Sequence, residues 1–435
     1  MPTQARILLP LLLALATPVG ACAQRQAGAT VPAGPAAADD LAALARHPKV
    51  AAALASLRAN NAWTLDQQAS ICEIPAPPFK EAARAAEYRR RLEALGLVRP
   101  RVDSVGNVIA ERPGSGGGPT VVVSGHLDTV FPEGTDVRVR REGTRLFGPG
   151  IGDDCRGLAV VLAVARAFDA AGVATHGDVI FVGTVGEEGA GDLRGVRHLL
   201  GRELRGRAAY FISVDGAGEG LTSRAVGSLR YRVRFLGPGG HSYSAFGLPN
   251  PVHAMGRAIA RIGDLRPPAS PRTTFNVGVV SGGTSVNAIP AEATMDVDLR
   301  SESAEALAAL DAQLRAAVDS ALAEEQARWP ASPARLRVVL DTIGVRPAGT
   351  QPDSARVVRV AREAARALGA AAPAPEASST DANYPIGVGL PAITMDGGGA
   401  GGGSHSLGEW YDDAPNGYRG AQWVALVVAA LAGVR

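Results

Sequence analysis

Residues 120–128, TVVVSGHLD, decide the fold because they predict a buried strand that ends in two polar side chains. Three consecutive valines are typical of a short strand inside a sheet. The Ser-Gly pair that follows ends the strand and leaves His126 and Asp128 two positions apart. Side chains at i and i+2 of a strand point the same way, so Asp128 can hydrogen-bond one ring nitrogen of His126 and leave the other free for a metal.

More apolar strands follow, and each ends in acidic residues. Strands predicted at residues 178–185 and 209–214 are followed by Glu187-Glu188 and by Asp215. Between them and the first strand, the glycine-rich turn GPGIGDDCRG opens an apolar helix over residues 158–171. Alternating strands and helices predict an α/β sheet with functional residues at the strand ends. Other predicted elements are helices over residues 41–70, 80–96, 353–369 and 420–432, a strand over 101–110 with a turn at Gly106-Asn107, a strand over 390–395, and a hairpin over 136–146.

The pattern changes after Asp215. Residues 228–236 alternate apolar side chains with arginines, which is typical of a half-exposed antiparallel strand. The segments that follow predict a β-α-β-β-α-β order of the ferredoxin type. They are a helix over residues 249–262, strands near 273–280 and 291–299, a helix over 304–329 and a strand over 335–341. We therefore predict an inserted α+β domain within a three-layer α/β/α domain.

Composition sets the domain limits and excludes some partners. The chain has 435 residues, 46% hydrophobic and 20% charged, which predicts a globular protein with more than one core. A net charge of +2 gives no reason to expect nucleic acid as a partner. The predicted boundaries are an export signal at residues 1–23, a disordered tether at 24–40, a first catalytic part at 41–226, the insert at 227–342 and a second catalytic part at 343–435.

The N-terminus predicts export in either of two forms. Residues 7–18 are apolar but too short to span a bilayer, as in a signal peptide. Val19-Gly20-Ala21-Cys22 resembles a bacterial lipobox, which implies a membrane anchor through lipidated Cys22, whereas Ala21-Cys22-Ala23 also fits a cleavage site. We favour the lipoprotein over the soluble periplasmic form. Whether Cys72 and Cys155 pair is not decided by the sequence.

Acidic and imidazole side chains at strand ends and glycine turns predict a metal site. Carboxylates beside apolar strands are costly to bury without a cation. Imidazoles and carboxylates, with no thiolates among the candidate ligands, suit two zinc ions that share a bridging carboxylate. Cobalt or manganese ions could occupy the same ligands. The residues concerned are His126, Asp128, Asp153, Asp154, Glu187, Glu188, Asp215 and His405.

The order of these motifs resembles a known family. SGHLDTV, GPGIGDDCRG, GTVGEEG, SVDG and GSHS resemble the di-zinc exopeptidases that include peptidase T, carboxypeptidase G, succinyl-diaminopimelate desuccinylase and aminoacylase. GPGGHS, SGGTSVNAIP and DVDLRS resemble that family's dimerisation domain, which serves as a lid. The resemblance runs from about residue 60 to the end. It implies a zinc-dependent hydrolase of amide bonds and a homodimer formed through the insert.

The resemblance also implies a role for individual residues. It implies a zinc held by His126 and Asp215, a second zinc held by Glu188 and His405, and Asp153 as the bridge. Asp128 would orient His126, and Glu187 would be the general base. His241 would stabilise the oxyanion from the partner subunit, and Asn287 and Arg300 would bind a substrate carboxylate. The 153–154 peptide would be cis, and Asp154 remains an alternative bridge because the two acids are adjacent. Cys155 and Arg156 depart from the pattern usual after the bridge, but no ligand is missing.

The predicted activity is cleavage of short peptides by an aminopeptidase, dipeptidase or tripeptidase, with the peptidase-T-like branch favoured. The sequence HSYSAFGLPNP at residues 241–251 carries this preference. An N-acyl-amino-acid amidohydrolase (deacylase) or a carboxypeptidase is the alternative with the same site. A non-catalytic binding lipoprotein stabilised by its metals is the alternative from another class.

Overall fold

The computed structural model describes residues 40–435. The helices of this part are α1 (Leu41–Arg46), α2 (Pro48–Ala59), α3 (Asn61–Cys72), α4 (Ala82–Ala94), α5 (Cys155–Ala170), α6 (Arg194–His198), α7 (Pro251–Gly263), α8 (Ala304–Ala327), α9 (Arg356–Ala367), α10 (Asn383–Gly387) and α11 (Tyr418–Ala432). Its strands are β1 (Val98–Val102), β2 (Val108–Arg112), β3 (Thr120–His126), β4 (Arg140–Glu142), β5 (Arg145–Phe147), β6 (Val179–Thr184), β7 (Ala208–Val214), β8 (Leu221–Ala225), β9 (Gly227–Leu236), β10 (Gly240–His241), β11 (Thr273–Gly282), β12 (Ala288–Ile289), β13 (Glu292–Ser301), β14 (Arg337–Arg346), β15 (Gly349–Thr350), β16 (Pro375–Ser378), β17 (Ala392–Met395), β18 (Ala400–Gly402) and β19 (Trp410–Asp412).

A central mixed sheet orders the molecule. Its strand order is β1-β2-β6-β3-β7-β17-β8-β15, and β16 pairs with β8. The inner strands β6, β3, β7 and β17 are parallel, whereas the β2–β6 and β17–β8 pairs are antiparallel. The carboxyl ends of the four parallel strands therefore lie at one edge of the sheet, which is where open α/β sheets bind ligands.

Both faces of this sheet are covered by helices. Val121 and Val123 of β3 join the core that includes buried residues of α5 and α11. Val122, between them, joins a second core with residues of α6 and α10. Because side chains alternate across a strand, consecutive valines fill the two cores on opposite faces. The predicted three-layer α/β/α arrangement is confirmed.

Helix α5 begins directly behind the parallel strand ends. Asp154 is its N-cap, and its carboxylate accepts a hydrogen bond of 2.9 Å from the Gly157 N–H. A Cβ at position 157 would lie 2.1 Å from the carbonyl oxygen of Val214, the last residue of β7. Only glycine permits this approach. The start of α5 is thereby held against the strand that leads to Asp215.

The chain after β8 builds a second sheet. Strands β9, β11, β13 and β14 form the order β11-β13-β9-β14, and α7 and α8 pack on it. This is the predicted ferredoxin-type order. Its apolar side has a core of its own, with Val233, Phe235 and Leu314 among its buried residues. We call residues 227–346 the insert. Its last strand runs to Arg346, beyond the expected end at residue 341, and this extension brings an arginine to the central sheet.

Several element boundaries differ from the prediction. The single helix expected over residues 41–70 is three helices, because Pro48 starts α2 and Asn60 separates α2 from α3. The turn expected at Gly106-Asn107 within residues 101–110 is present, with Gly106 at φ +107°, and it separates β1 from β2. Residues 1–39, with the predicted signal and most of the predicted tether, lie outside the described part. No helix in residues 40–435 is both long and apolar enough to cross a membrane.

Candidate metal centre

Distant segments meet at the carboxyl edge of the central sheet. His126 is the last residue of β3, and Asp215 directly follows β7. Glu188 lies in the turn after β6, and Asp153 lies in the turn before α5. His405 is in the loop between β18 and β19. The parallel strands thus deliver three of the predicted ligands, and a turn and a loop deliver the other two.

The five predicted ligands form two groups that share Asp153. One group is His126, Asp153 and Asp215, the other is Asp153, Glu188 and His405, and the donor atoms within each group lie within 4.8 Å of one another. His126 Nε2 lies 2.9 Å from Asp153 Oδ1 and 3.8 Å from Asp215 Oδ1. His405 Nε2 lies 3.1 Å from Asp153 Oδ2 and 2.9 Å from Glu188 Oε1. Each Asp153 oxygen therefore faces a different histidine.

This donor set fits a pair of metal ions. Two ligands on one tetrahedral zinc ion, each about 2 Å from it, lie about 3.3 Å apart, near the spacings found here. Burial, followed by the charge of Asp153, raises the pKa of Asp215 well above its usual range. Burial also raises the pKa of Asp153, but hydrogen bonds from His126 and His405 outweigh it and leave that pKa below its usual range. The cluster holds more carboxylate groups than its two imidazoles balance, and divalent cations would supply the missing positive charge.

The two adjacent acids play different parts. Asp154 is buried, and its Oδ2 accepts a hydrogen bond of 2.8 Å from the His126 backbone N–H. Its other oxygen caps α5, so neither oxygen faces His405. The peptide between Asp153 and Asp154 is cis, as the resemblance implied. The geometry favours Asp153 over Asp154 as the bridge.

Asp128 contacts His126 in a different way from the one expected. His126 Nδ1 lies 3.1 Å from the backbone carbonyl oxygen of Asp128 and 3.8 Å from its carboxylate. The carboxylate instead accepts hydrogen bonds from the backbone N–H groups of Glu187 and Glu188, at 3.1 and 2.8 Å. Asp128 thus orients the histidine with its backbone and holds the Glu187-Glu188 turn with its side chain.

Glu187 has an arginine partner that sequence reasoning missed. Arg346, at the end of β14, is only 5% exposed and donates from Nη1 to Glu187 Oε1 at 3.0 Å. A second contact joins Arg346 Nη2 to the Glu187 carbonyl oxygen. Burial raises the pKa of Glu187 to about 8, although the positive charge of Arg346 opposes that shift. No sequence signal distinguishes Arg346, since it is 159 residues from Glu187.

Glu409 was also missed, and it joins the two loops that carry metal ligands. This carboxylate is 1% exposed and accepts three backbone hydrogen bonds, from the N–H groups of Gly150, Gly152 and Asp153, at 2.8, 2.8 and 2.9 Å. It follows His405 by four residues. Its partners lie more than 250 residues away along the chain, so no local pattern in the sequence distinguishes it.

A cavity of about 440 Å³ opens on the two groups. Arg300 lines it, as predicted for a substrate ligand, together with Arg230 and Arg346. The guanidinium of Arg300 also pairs with Asp298, with Nε and Oδ2 2.7 Å apart. All three arginines belong to strands of the insert, so the insert provides the positively charged part of the cavity wall.

His241 and Asn287 lie together but do not line this cavity. His241 pairs with Ala288 across the short ribbon formed by β10 and β12, and both His241 and Asn287 are exposed. The backbone N–H groups of Tyr243 and Ser244 donate to His241 Nδ1, at 3.2 and 3.4 Å. In a neutral imidazole this leaves Nε2 as the proton donor. The sequence left open whether Cys72 and Cys155 form a disulfide. Both are buried free thiols.

Comparison with known proteins decides the family. The model of peptidase family M20/M25/M40 matches residues 122–430. The chain belongs to this family. A succinyl-diaminopimelate desuccinylase of Leptothrix cholodnii is 30% identical over 294 residues, which is 63% of this chain and 72% of the relative. The protein is therefore a metal-dependent hydrolase that acts on amide bonds.

Solved structures support the fold. The aminopeptidase PepT of Bacillus cereus superposes with a TM-score of 0.68 at 21% identity, over 85% of this chain and 98% of that one. A dinuclear metal-binding peptidase of the M20 family from Bacillus subtilis gives a TM-score of 0.61 at 19% identity, over 86% of this chain and 99% of that one. The paired groups around Asp153 in this M20 chain fit a dinuclear centre.

Proposed function

We propose that this M20 hydrolase is an exopeptidase that cleaves short peptides and uses Glu187 as its general base. The observation that carries the proposal is the position of Glu187 beside two complete ligand groups. Glu187 lies close enough to His126 and Glu188 to form a third group with them. The two groups that share Asp153, however, each have three donor residues without Glu187. A carboxylate that is close to the metals but not needed to hold them is free to move protons.

The groups around Asp153 would hold two zinc ions, which when bound would polarise a carbonyl and acidify water. The carboxylate of Glu187 would accept a proton and return it to the leaving amine. The Asp128 carboxylate accepts a hydrogen bond from the Glu187 backbone N–H, and the Arg346 guanidinium donates one to the Glu187 carboxylate. A residue fixed at both its backbone and its side chain starts the reaction in position.

The insert would bind the substrate and complete the site across a dimer. Arg300 in the cavity wall offers a guanidinium to a substrate carboxylate. His241 and Asn287 are exposed on the β10–β12 ribbon, away from the cavity of their own chain. We infer that they act on the cavity of a second subunit, where His241 Nε2 donates to the oxyanion and Asn287 assists at the carboxylate.

Two further proposals concern the substrate and the location. An aminopeptidase or dipeptidase of the peptidase-T-like branch is our first choice, supported by the fold of PepT. An N-acyl-amino-acid hydrolase is the second candidate, supported by the desuccinylase relative. We also propose that the protein is exported and anchored through Cys22, as the lipobox-like sequence indicates.

The decisive experiment replaces Glu187 by glutamine. Glu187→Gln keeps the shape of the side chain, so we expect about two metal ions per chain, as in the parent, and a loss in kcat of at least 100-fold because the base is absent. Metal is measured by elemental analysis, and turnover is measured on a panel of dipeptides, tripeptides and N-acyl amino acids. A chelator should abolish cleavage by the parent.

A matched control is Glu324→Gln on α8, a half-exposed carboxylate that does not line the cavity. It should leave metal content and kcat within about twofold, since surface substitutions have small effects. Parental turnover by Glu187→Gln would refute the role of this residue. Cleavage of N-acyl amino acids alone would favour the second candidate.

A further inference from the structure

One carboxylate in the cavity wall has no partner of opposite charge. The carboxylates that line the cavity are Asp153, Glu187, Glu188, Asp215 and Asp396. The first four belong to the candidate metal groups. Within residues 40–435, Asp396 makes no ion pair, and its carboxylate accepts a single hydrogen bond, from the Gly220 N–H to Oδ2 at 2.8 Å. Asp396 is therefore a charge that faces the cavity without a cation.

Asp396 stands next to the metal groups. It directly follows β17, which runs parallel to β7 with Met395 aligned to Val214. The register continues by one residue, because the Asp215 N–H donates to the Met395 carbonyl oxygen at 3.1 Å. Adjacent strands are about 4.8 Å apart, so the backbone of Asp396 is about one strand spacing from that of Asp215. The cavity wall at Asp396 is thus close to the place of the scissile bond.

The two walls of the cavity differ in charge. Around Asp396 the wall consists of hydroxyl side chains from the central sheet, among them Thr222, Ser378 and Thr394. The arginines of the cavity come from the insert. Burial, with a further contribution from Glu376, raises the pKa of Asp396 to about 6. A nearby cation would remove this cost by stabilising the ionised carboxylate.

We propose that Asp396 binds the protonated α-amine of the substrate's N-terminal residue. The α-amine is separated from the scissile carbonyl by a single carbon in a dipeptide, which suits a carboxylate carried by the strand next to the one that ends at Asp215. The ammonium of a lysine side chain would lie several bonds farther away. The arginine wall holds the carboxylate end of the same peptide, so the site selects short peptides with both ends free. This inference rests on the proposed exopeptidase function.

The test compares one peptide with and without its amine charge. Asp396→Asn keeps an oxygen for the Gly220 N–H but loses the negative charge. We expect kcat/KM for Ala-Ala to fall 10- to 100-fold more than kcat/KM for N-acetyl-Ala-Ala, because a charge-assisted hydrogen bond is lost only with the free amine. Metal content and Tm of the variant should equal those of the parent, which separates recognition from a structural defect.

Glu376→Gln is the matched control, because Glu376 contributes to the potential at Asp396 but does not line the cavity. It should change the ratio of the two kcat/KM values less than about twofold. Equal losses on both substrates in Asp396→Asn would overturn the inference. A parent enzyme that prefers N-acetyl-Ala-Ala would overturn it too, while leaving the amide hydrolase in place. A metal-loaded parent that cleaves neither substrate would overturn the proposed function itself.

Discussion

The edge of the central sheet and the β10–β12 ribbon of the insert carry predicted functional residues in opposite environments. At the sheet edge His126 is 2% exposed and lies 2.9 Å from Asp153. In the ribbon His241 is exposed, and within the described residues the hydrogen bonds to its ring come from the backbone N–H groups of Tyr243 and Ser244. A buried histidine among carboxylates is positioned by its own chain. An exposed histidine on a short ribbon needs a further surface to become part of a site.

The two regions contribute different parts of the site. The sheet edge assembles its ligands because parallel strands, α5 and Glu409 fix them relative to each other. The insert contributes arginines at one end and the ribbon at the other, and only the arginines reach the cavity of the same chain. Metal binding should therefore depend on one chain, and full turnover on two.

Removal of the His241 imidazole should have the largest effect in this comparison. We expect His241→Ala to lower kcat about 100- to 1,000-fold, the usual effect of removing an oxyanion donor, while metal content stays at the parental value. Asn287→Ala, also in the ribbon region, should instead raise KM. Steady-state kinetics with elemental analysis measures both variants. A His241→Ala variant that loses its metal would end the separation between the two regions.

Mixed dimers would sharpen the same prediction. Homodimers of Glu187→Gln chains and of His241→Ala chains should each have about 1% of parental activity or less. In a mixed dimer, however, the His241→Ala chain keeps Glu187 and can receive His241 from its partner. Random pairing of equal amounts makes about half of the dimers mixed, each with one intact site, so about a quarter of parental activity should return. Co-expression of differently tagged chains gives the mixture. No gain in activity, or an active monomer by light scattering, would refute action from the partner subunit.

Replacement of Glu409 should weaken the sheet edge itself. Glu409→Gln keeps one oxygen acceptor but turns the other into an amide that cannot accept the backbone N–H groups. Because the Asp153 turn is then held less firmly, we expect metal affinity to fall about 10- to 100-fold, as for residues that orient metal ligands. Competition with a coloured chelator measures the affinity. Parental affinity in Glu409→Gln would show that the turn is held without this carboxylate.

The sequence predicts residues at the sheet edge better than it predicts their supports. His126, Asp215 and Glu188 follow apolar strands, and this local pattern is enough to place them at the carboxyl ends of a parallel sheet. Arg346 and Glu409 contact that edge from 159 and more than 250 residues away. Their role depends on the path of the whole chain, so no local pattern could reveal it.

Asp128 and the helix boundaries show a second limit. The two-residue spacing predicted a side-chain hydrogen bond to His126, but the Asp128 backbone carbonyl makes that contact and the carboxylate accepts from the backbone of the Glu187-Glu188 turn. Period-2 geometry describes side chains within a strand, and β3 ends at His126, so Asp128 lies outside it. Similarly, the first predicted helix is split at Pro48 and Asn60, and apolar periodicity alone does not reveal these breaks.

Substitutions at two neighbouring residues of β9 should show how much the core and the charged face of the insert each contribute to stability. These are the smallest effects that we predict. Val233 is fully buried. Arg232 has a half-exposed side chain that forms an ion pair with Asp296 on the neighbouring strand β13. We expect Val233→Ala to lower the free energy of unfolding by about 1–3 kcal/mol, and Arg232→Ala to lower it by less than about 1 kcal/mol. Urea unfolding of the two variants measures both values.

If the insert unfolds as a unit of its own, Val233→Ala should shift one of two unfolding transitions, and the transition of the metal-loaded sheet edge should stay unchanged. A single shifted transition would instead mean that the arginines between insert and edge, Arg346 above all, couple both regions into one cooperative structure.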